Sequence, residues 1–183
     1  MTHPNDRAAV EAQIDARIDQ QLDHWIEQLA RLCAQPSISA QRLGIDECAA
    51  LVATMLEEQG YTAEVLPTGG SPIVYGDSGP AAQARTLLFY NHYDVQPPEP
   101  LDLWNSPPFT LTRVGDELFA RGVSDDKGQL ITRMAAAAAV RDVLGELPCR
   151  VKYFVEGEEE VGSPNIPPAI DAHKERFAAD GCI

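Results

Sequence analysis

The 183-residue sequence predicts an α/β fold: a sheet between helices that cover both of its faces. Three observations carry this. Helical and strand patterns alternate along the chain, the order that builds layered α/β domains. Apolar residues Ile14, Ile18, Leu22, Ile26, Leu29 and Leu32 recur every three or four positions through residues 6–34, the mark of an amphipathic helix. Thr86-Leu87-Leu88-Phe89-Tyr90 is a continuous apolar run, as in a strand buried on both faces.

Taken in order, the first helix ends before Pro36, which cannot continue it. A loop over residues 37–43 leads to a second helix, residues 46–59, with Leu51, Val52, Met55 and Leu56 as its apolar face and Gly60 as its stop. Residues 61–66 place β-formers at alternate positions and read as a strand. A turn over 67–71 and a second strand, 72–76, follow, closed by Asp77-Ser78-Gly79-Pro80. The apolar run at 86–90 delivers Asn91-His92-Tyr93-Asp94 at its carboxyl end, and the proline-rich 95–108 is irregular. Residues 109–113 and 117–121 flank Val114-Gly115-Asp116 as a hairpin. A helix over 129–145 carries five consecutive alanines, small enough for close packing on a sheet. Residues 150–155 form a strand that delivers Glu156-Gly157-Glu158-Glu159-Glu160. A last helix is expected over 166–179, with His173 on its surface, and Gly181-Cys182-Ile183 begins a further strand.

The length suggests one domain with a sizeable core. A net charge of -14 argues against nucleic acid and anionic membranes, both of which need basic patches. No stretch approaches the roughly 20 apolar residues that span a bilayer. Met1-Thr2-His3-Pro4-Asn5-Asp6 lacks the basic-then-apolar order of a signal peptide, so a cytoplasmic protein is expected. Cys33, Cys48, Cys149 and Cys182 form no CxxC and read as reduced, mostly buried thiols.

The chemistry centres on Ser124-Asp125-Asp126-Lys127-Gly128, between a strand and a helix. Two adjacent carboxylates repel unless a cation or a donor offsets them. Read alone, the pair also fits a solvated turn with Asp as helix N-cap. Likewise His92-x-Asp94 alone fits a structural histidine, and the glutamate run alone fits a solvated face. Together, each on a loop at the carboxyl edge of a sheet where ligands bind, they favour a divalent metal. One imidazole with several carboxylates suits a hydrolytic metal, zinc first.

These residues resemble a family, the di-zinc metallopeptidases that include carnosine dipeptidases, acetylornithine deacetylase, succinyl-diaminopimelate desuccinylase, aminoacylase and a glutamate carboxypeptidase. Asn91-His92-Tyr93-Asp94-Val95-Gln96-Pro97 is similar to the family's first motif, Leu118 to Gly128 to its second, and Glu156 to Ser163 to its third. The context Trp104 to Phe109 resembles the dipeptidase branch. The resemblance implies a zinc-peptidase catalytic domain with a mixed, mostly parallel sheet, binding two divalent metals, zinc before cobalt or manganese. By it, His92 binds one metal, Asp125 bridges both, Glu160 binds the second, Asp94 holds the other nitrogen of His92, and Glu159 is the general base on a metal-bridging water. It also implies a cis peptide between Asp125 and Asp126. The substrate implied is a dipeptide or an N-acyl amino acid, and a homodimer is the assembly expected of the full-length protein. The family's second metal-binding aspartate follows soon after a segment like Ala179 to Ile183, and its last histidine lies beyond an inserted lid or dimerisation domain. The resemblance therefore implies that residues 1–183 are the N-terminal part of a catalytic domain and are inactive alone. Two rivals remain: a family member that has lost catalysis and serves as a binding module, and a non-haem iron oxygenase, whose facial triad also begins with HxD.

Overall fold

The computed structural model describes residues 4–81 and 85–183. Helix α1 (Pro4–Ala34) and helix α2 (Ile45–Glu58) come first. Strands β1 (Thr62–Leu66), β2 (Ile73–Asp77) and β3 (Thr86–His92) follow, then a hairpin of β4 (Thr112–Val114) and β5 (Glu117–Phe119). Helix α3 (Lys127–Leu144), strand β6 (Arg150–Glu156), short helices α4 (Ile166–Ala172) and α5 (Lys174–Phe177), and strand β7 (Gly181–Cys182) complete the described chain.

The described residues build a five-stranded sheet in the order β1-β2-β6-β3-β7, with β4–β5 as a separate pair. Strands β6, β3 and β7 are parallel, while β2 is antiparallel to both β6 and β1. Only β2 is thus reversed, and the sheet is mixed but mostly parallel, as expected. Strands β3 and β6 pair in register from Thr86 opposite Arg150 to His92 opposite Glu156. Their carboxyl ends are therefore level, and whatever follows each strand shares one edge.

Both faces of the sheet carry an apolar layer. On one, Leu29, Leu32 and Cys33 of α1, Val52, Met55 and Leu56 of α2, and Leu130, Met134 and Ala138 of α3 meet Phe89, Val151, Tyr153 and Val155. The alanine run is mostly buried, which lets α3 lie against both α1 and the sheet. On the other face, Ile166, Ala169 and Phe177 of α4 and α5 cover Leu66, Ile73, Tyr75, Leu88 and Phe154. Each large apolar side chain fully buried here contributes about 1.5–3 kcal/mol.

Four expectations are corrected. The apolar stripe of α1 is not buried along its whole length: Leu22 is 47% exposed, whereas Trp25, outside the stripe, is buried. The last helix is not continuous but breaks at His173, whose φ of -123° leaves the helical range. The Lys152 ammonium donates to the carbonyls of Arg176 and Ala178 at 2.6 and 2.8 Å, which draws that segment onto the sheet and seats Phe177 in the core. His173 is half-buried, edge-on to Phe177, and not a plain surface residue. Of the four thiols, Cys33 and Cys48 are buried, Cys149 is half-buried and Cys182 is exposed, and all four are free.

Candidate metal centre

His92 is the last residue of β3, and the strand buries its ring to 5% exposure. Its Nδ1 lies 3.1 Å from the Asp94 carbonyl and 3.4 Å from Asp94 Oδ1. With Nδ1 directed at Asp94, Nε2 faces outward, 2.9 Å from Asp125 Oδ1, to which its N–H donates when the ring is protonated, and 3.8 Å from Glu159 Oε2. Burial alone would lower the imidazole pKa. Asp94, then Asp126 and Asp125, outweigh it and push the value up to about 9.

The two neighbouring aspartates divide their work. The peptide between Asp125 and Asp126 is cis, as the resemblance implies. Asp125 is mostly exposed and faces His92. Asp126 turns inward and is 9% exposed; its Oδ2 accepts from Asn91 Nδ2 at 2.7 Å and from the His92 N–H at 3.0 Å. Arg133 of α3 donates in turn to Asn91 Oδ1 at 2.7 Å and to the Tyr90 carbonyl. Donors thus offset the second carboxylate. Asp126 occupies the N-cap position of α3, yet its side chain makes no capping bond, so the plain N-cap explanation of the pair fails.

Lys127, fully buried, braces the same turn. Its ammonium donates to the carbonyls of Leu32 and Gln35 at 3.0 and 2.7 Å, at the end of α1. Burial lowers its pKa.

The glutamates after β6 do not continue the strand. Glu159–Val161 is a turn of 3-10 helix, so Glu159 and Glu160 diverge because they are successive on a tight helix, not because they alternate along a strand. Asp94, fully buried, accepts the N–H of Glu159 at 3.2 Å and of Glu160 at 3.1 Å. Its carboxylate therefore docks this turn onto the end of β3 as well as facing His92. Gln96 donates to Glu160 Oε2 at 2.8 Å. Glu156 is 1% exposed and holds Tyr90 Oη at 2.6 Å and Ser163 Oγ at 2.9 Å; burial raises its pKa. Gly157 is required because a Cβ there would overlap the ring of Tyr93, whose hydroxyl donates to Pro72 O at 2.7 Å.

Donor atoms of His92, Asp125 and Glu160 lie within 4.8 Å of one another. One imidazole nitrogen and two carboxylates at this spacing fit a divalent cation of the zinc type. Asp94 and Glu159 stand at the same edge, so the five residues singled out from sequence meet in one place. Gln96, Asn91, Asp126, Glu156 and Glu158 also build the site. All lie in the motifs, but nothing in the motifs alone distinguishes supports from ligands.

Comparison with known proteins agrees with this geometry. Residues 88–183 match the family described as Peptidase family M20/M25/M40. The chain belongs to that family. It is 34% identical over 155 residues to the human Beta-Ala-His dipeptidase, covering 82% of this chain and 29% of that protein. It is 34% identical over 176 residues to the Cys-Gly metallodipeptidase dug1 of Schizosaccharomyces pombe, covering 88% of this chain and 37% of the relative. Among solved structures, an M20 family metallo-carboxypeptidase from Sulfolobus solfataricus superposes with a TM-score of 0.80 at 39% identity, over 87% of this chain and 36% of that one. Human carnosine dipeptidase 1 superposes with a TM-score of 0.82 at 27% identity, over 94% of this chain and 40% of its own. The M20 chain thus spans well under half the length of these relatives. Among the described residues, no helix is long and apolar enough to cross a membrane.

Proposed function

We propose that the whole protein is a metal-dependent hydrolase of a peptide or amide bond, in a dipeptide or an N-acyl amino acid. The observation that carries the reading is the convergence of His92, Asp125 and Glu160 donor atoms within 4.8 Å, with Glu159 at the same edge. His92 and Glu160 would each hold one of two divalent ions, zinc foremost, and Asp125 would lie between them. Such ions lower the pKa of water towards about 7 and polarise a carbonyl.

The protein's own groups do the rest. Asp94 fixes the tautomer of His92 and leaves Nε2 as the donor nitrogen, the arrangement that raises ligand basicity. Asp94 also carries the backbone of Glu159 and Glu160, so one carboxylate sets both halves of the site. Glu159 is exposed, reaches the His92 edge and is free to accept a proton from the attacking water and return it to the leaving amine. Three donor residues do not complete two zinc sites that normally take three protein ligands each. The 183 residues by themselves are accordingly expected to bind metal weakly and not to turn over.

The dipeptidase names among the relatives support a small peptide as substrate. The free thiols suit a reducing, cytoplasmic setting. Assembly as a homodimer is part of the same reading of the whole protein. The test is metal analysis of the full-length protein together with a panel of dipeptides and N-acyl amino acids. Two zinc ions and cleavage of one panel member are expected. One iron, or stoichiometric metal without any cleavage, would overturn it in favour of the oxygenase or the binding module. The fold already disfavours the oxygenase, because the sheet is α/β and open where a β-barrel is needed.

A further inference from the structure

We infer that Glu158, which supplies neither a metal donor nor the base in the reading above, is the positioning residue that ties the Glu159–Val161 turn to the turn between β1 and β2. The inference rests on the roles proposed for Glu159 and Glu160.

Glu158 is only 7% exposed, although it sits in a run of acids. Its Oε1 accepts the Ser71 N–H at 2.7 Å and Asn165 Nδ2 at 3.2 Å. Its Oε2 accepts Asn165 Nδ2 at 3.0 Å and the Asn165 N–H at 3.3 Å. Its carbonyl accepts the N–H of Val161 at 3.1 Å and of Ser163 at 2.9 Å. One residue therefore holds three segments: the β1–β2 turn, the start of α4 and its own 3-10 turn. Among the described residues no Lys or Arg pairs with it, so the donors alone offset its charge.

The β1–β2 turn is shaped for this carboxylate. Thr68 Oγ1 accepts the Gly70 N–H at 2.9 Å and donates to Ser71 O at 2.8 Å, which presents the Ser71 N–H to Glu158. A Cβ at Gly70 would overlap both Glu158 Oε1 and Asn165 Nδ2. Gly70 has no left-handed φ, so a side chain there acts by overlap alone. The turn that carries Glu159 and Glu160 is thus held from two sides, by Asp94 at the end of β3 and by Glu158 on the β1–β2 turn. A reacting group moved by about 1 Å can lose about 10²-fold in rate, so a clamp at this point governs the chemistry without touching substrate.

The experiment compares the parent with G70A, E158Q and E158Q/N165D. In E158Q the new amide NH₂ faces that of Asn165, and the aspartate of the double variant supplies an acceptor for it. Amide hydrogen exchange is read residue by residue. In G70A and E158Q, exchange is expected to rise at Ser71 and together with it at Glu159, Glu160 and Val161, with the core strands β3 and β6 unchanged. The double variant returns both turns towards the parent. In the full-length enzyme, E158Q lowers kcat by about tenfold, but by less than about twofold when Glu159 is already Gln, since residues acting through one another are not additive. A rise confined to residues 69–71, or equal losses in both backgrounds, would overturn the inference. If the parent cleaves nothing on the panel, the hydrolase reading fails, while paired or unpaired exchange still decides the clamp.

Discussion

Replacing Asp94 by Asn is expected to loosen the site at two places at once. The buried carboxylate accepts two backbone N–H groups, one per oxygen, and also faces His92 Nδ1. Asparagine keeps the shape and one acceptor but turns a donor towards the other N–H. A buried N–H left without an acceptor costs about 1–3 kcal/mol, and hydrogen bonds to a charged group are worth about 1.5–3 kcal/mol against about 1 for neutral ones. Together these give a loss of about 2–4 kcal/mol. For a chain of this size each kcal/mol moves Tm by about 2–4 °C, so Tm falls by roughly 4–16 °C. The imidazole loses a neighbour that raises its pKa, and burial then draws it down from about 9. Metal affinity falls by about 10–100-fold, the usual effect of removing a group behind a ligating histidine. Calorimetry gives the first quantity, and zinc competition against a chromophoric chelator gives the second. An unchanged Tm together with unchanged zinc affinity would refute the double role of Asp94.

Further outcomes follow from the same geometry. Glu159→Gln in the full-length protein keeps its metal content but loses about 10²–10⁴-fold in kcat; turnover within a factor of about two of the parent would exclude Glu159 as the base. His92 has its folded pKa raised from 6.5 to about 9, so its contribution to stability is fully present below 6.5 and is lost as pH rises through about 9. Thermal melts of the chain without added metal should show that loss, and His92→Gln should remove it; a Tm that climbs over the same range would contradict the assignment. Lys127→Met strips two carbonyls at the end of α1 of their donor and destabilises by about 2–3 kcal/mol, measurable by urea unfolding with an unchanged m-value.

Much of this was legible in the sequence because the strands are short and their ends are chemically marked. The apolar run before His92 and the one before Glu156 read as strands, and in parallel register they bring their ends level. What stayed hidden depends on side chains from distant segments. The 3-10 turn at Glu159 is imposed by Asp94 from 65 residues upstream, which no local propensity reveals. The break at His173 has no local signal in the sequence, and beyond it Lys152 of β6 holds the carbonyls of Arg176 and Ala178 and so draws the segment onto the sheet. Glu156 and Glu158 look like members of a solvated acidic run, and only the fold shows that both face inward. The outer half of the α1 stripe has the same period as the inner half, so periodicity alone overstates its burial.

The hold of Lys127 on α1 bears on how the three motifs can be moved to a smaller scaffold. Residues 88–183 contain His92, Asp125 and Glu160, and they are the stretch that matches the family. A peptide excised at that boundary would nonetheless carry a lysine built for a dry niche and neither of its acceptors, which sit 92 and 95 residues earlier. The ammonium then sheds its proton or swings out to water, and either course pulls on Asp126, its immediate neighbour, and on Asp125 before it. Grafting the three motifs onto a smaller scaffold therefore requires importing the end of a helix from the far side of the sequence, or replacing Lys127 with an apolar side chain and repacking the space beneath the turn.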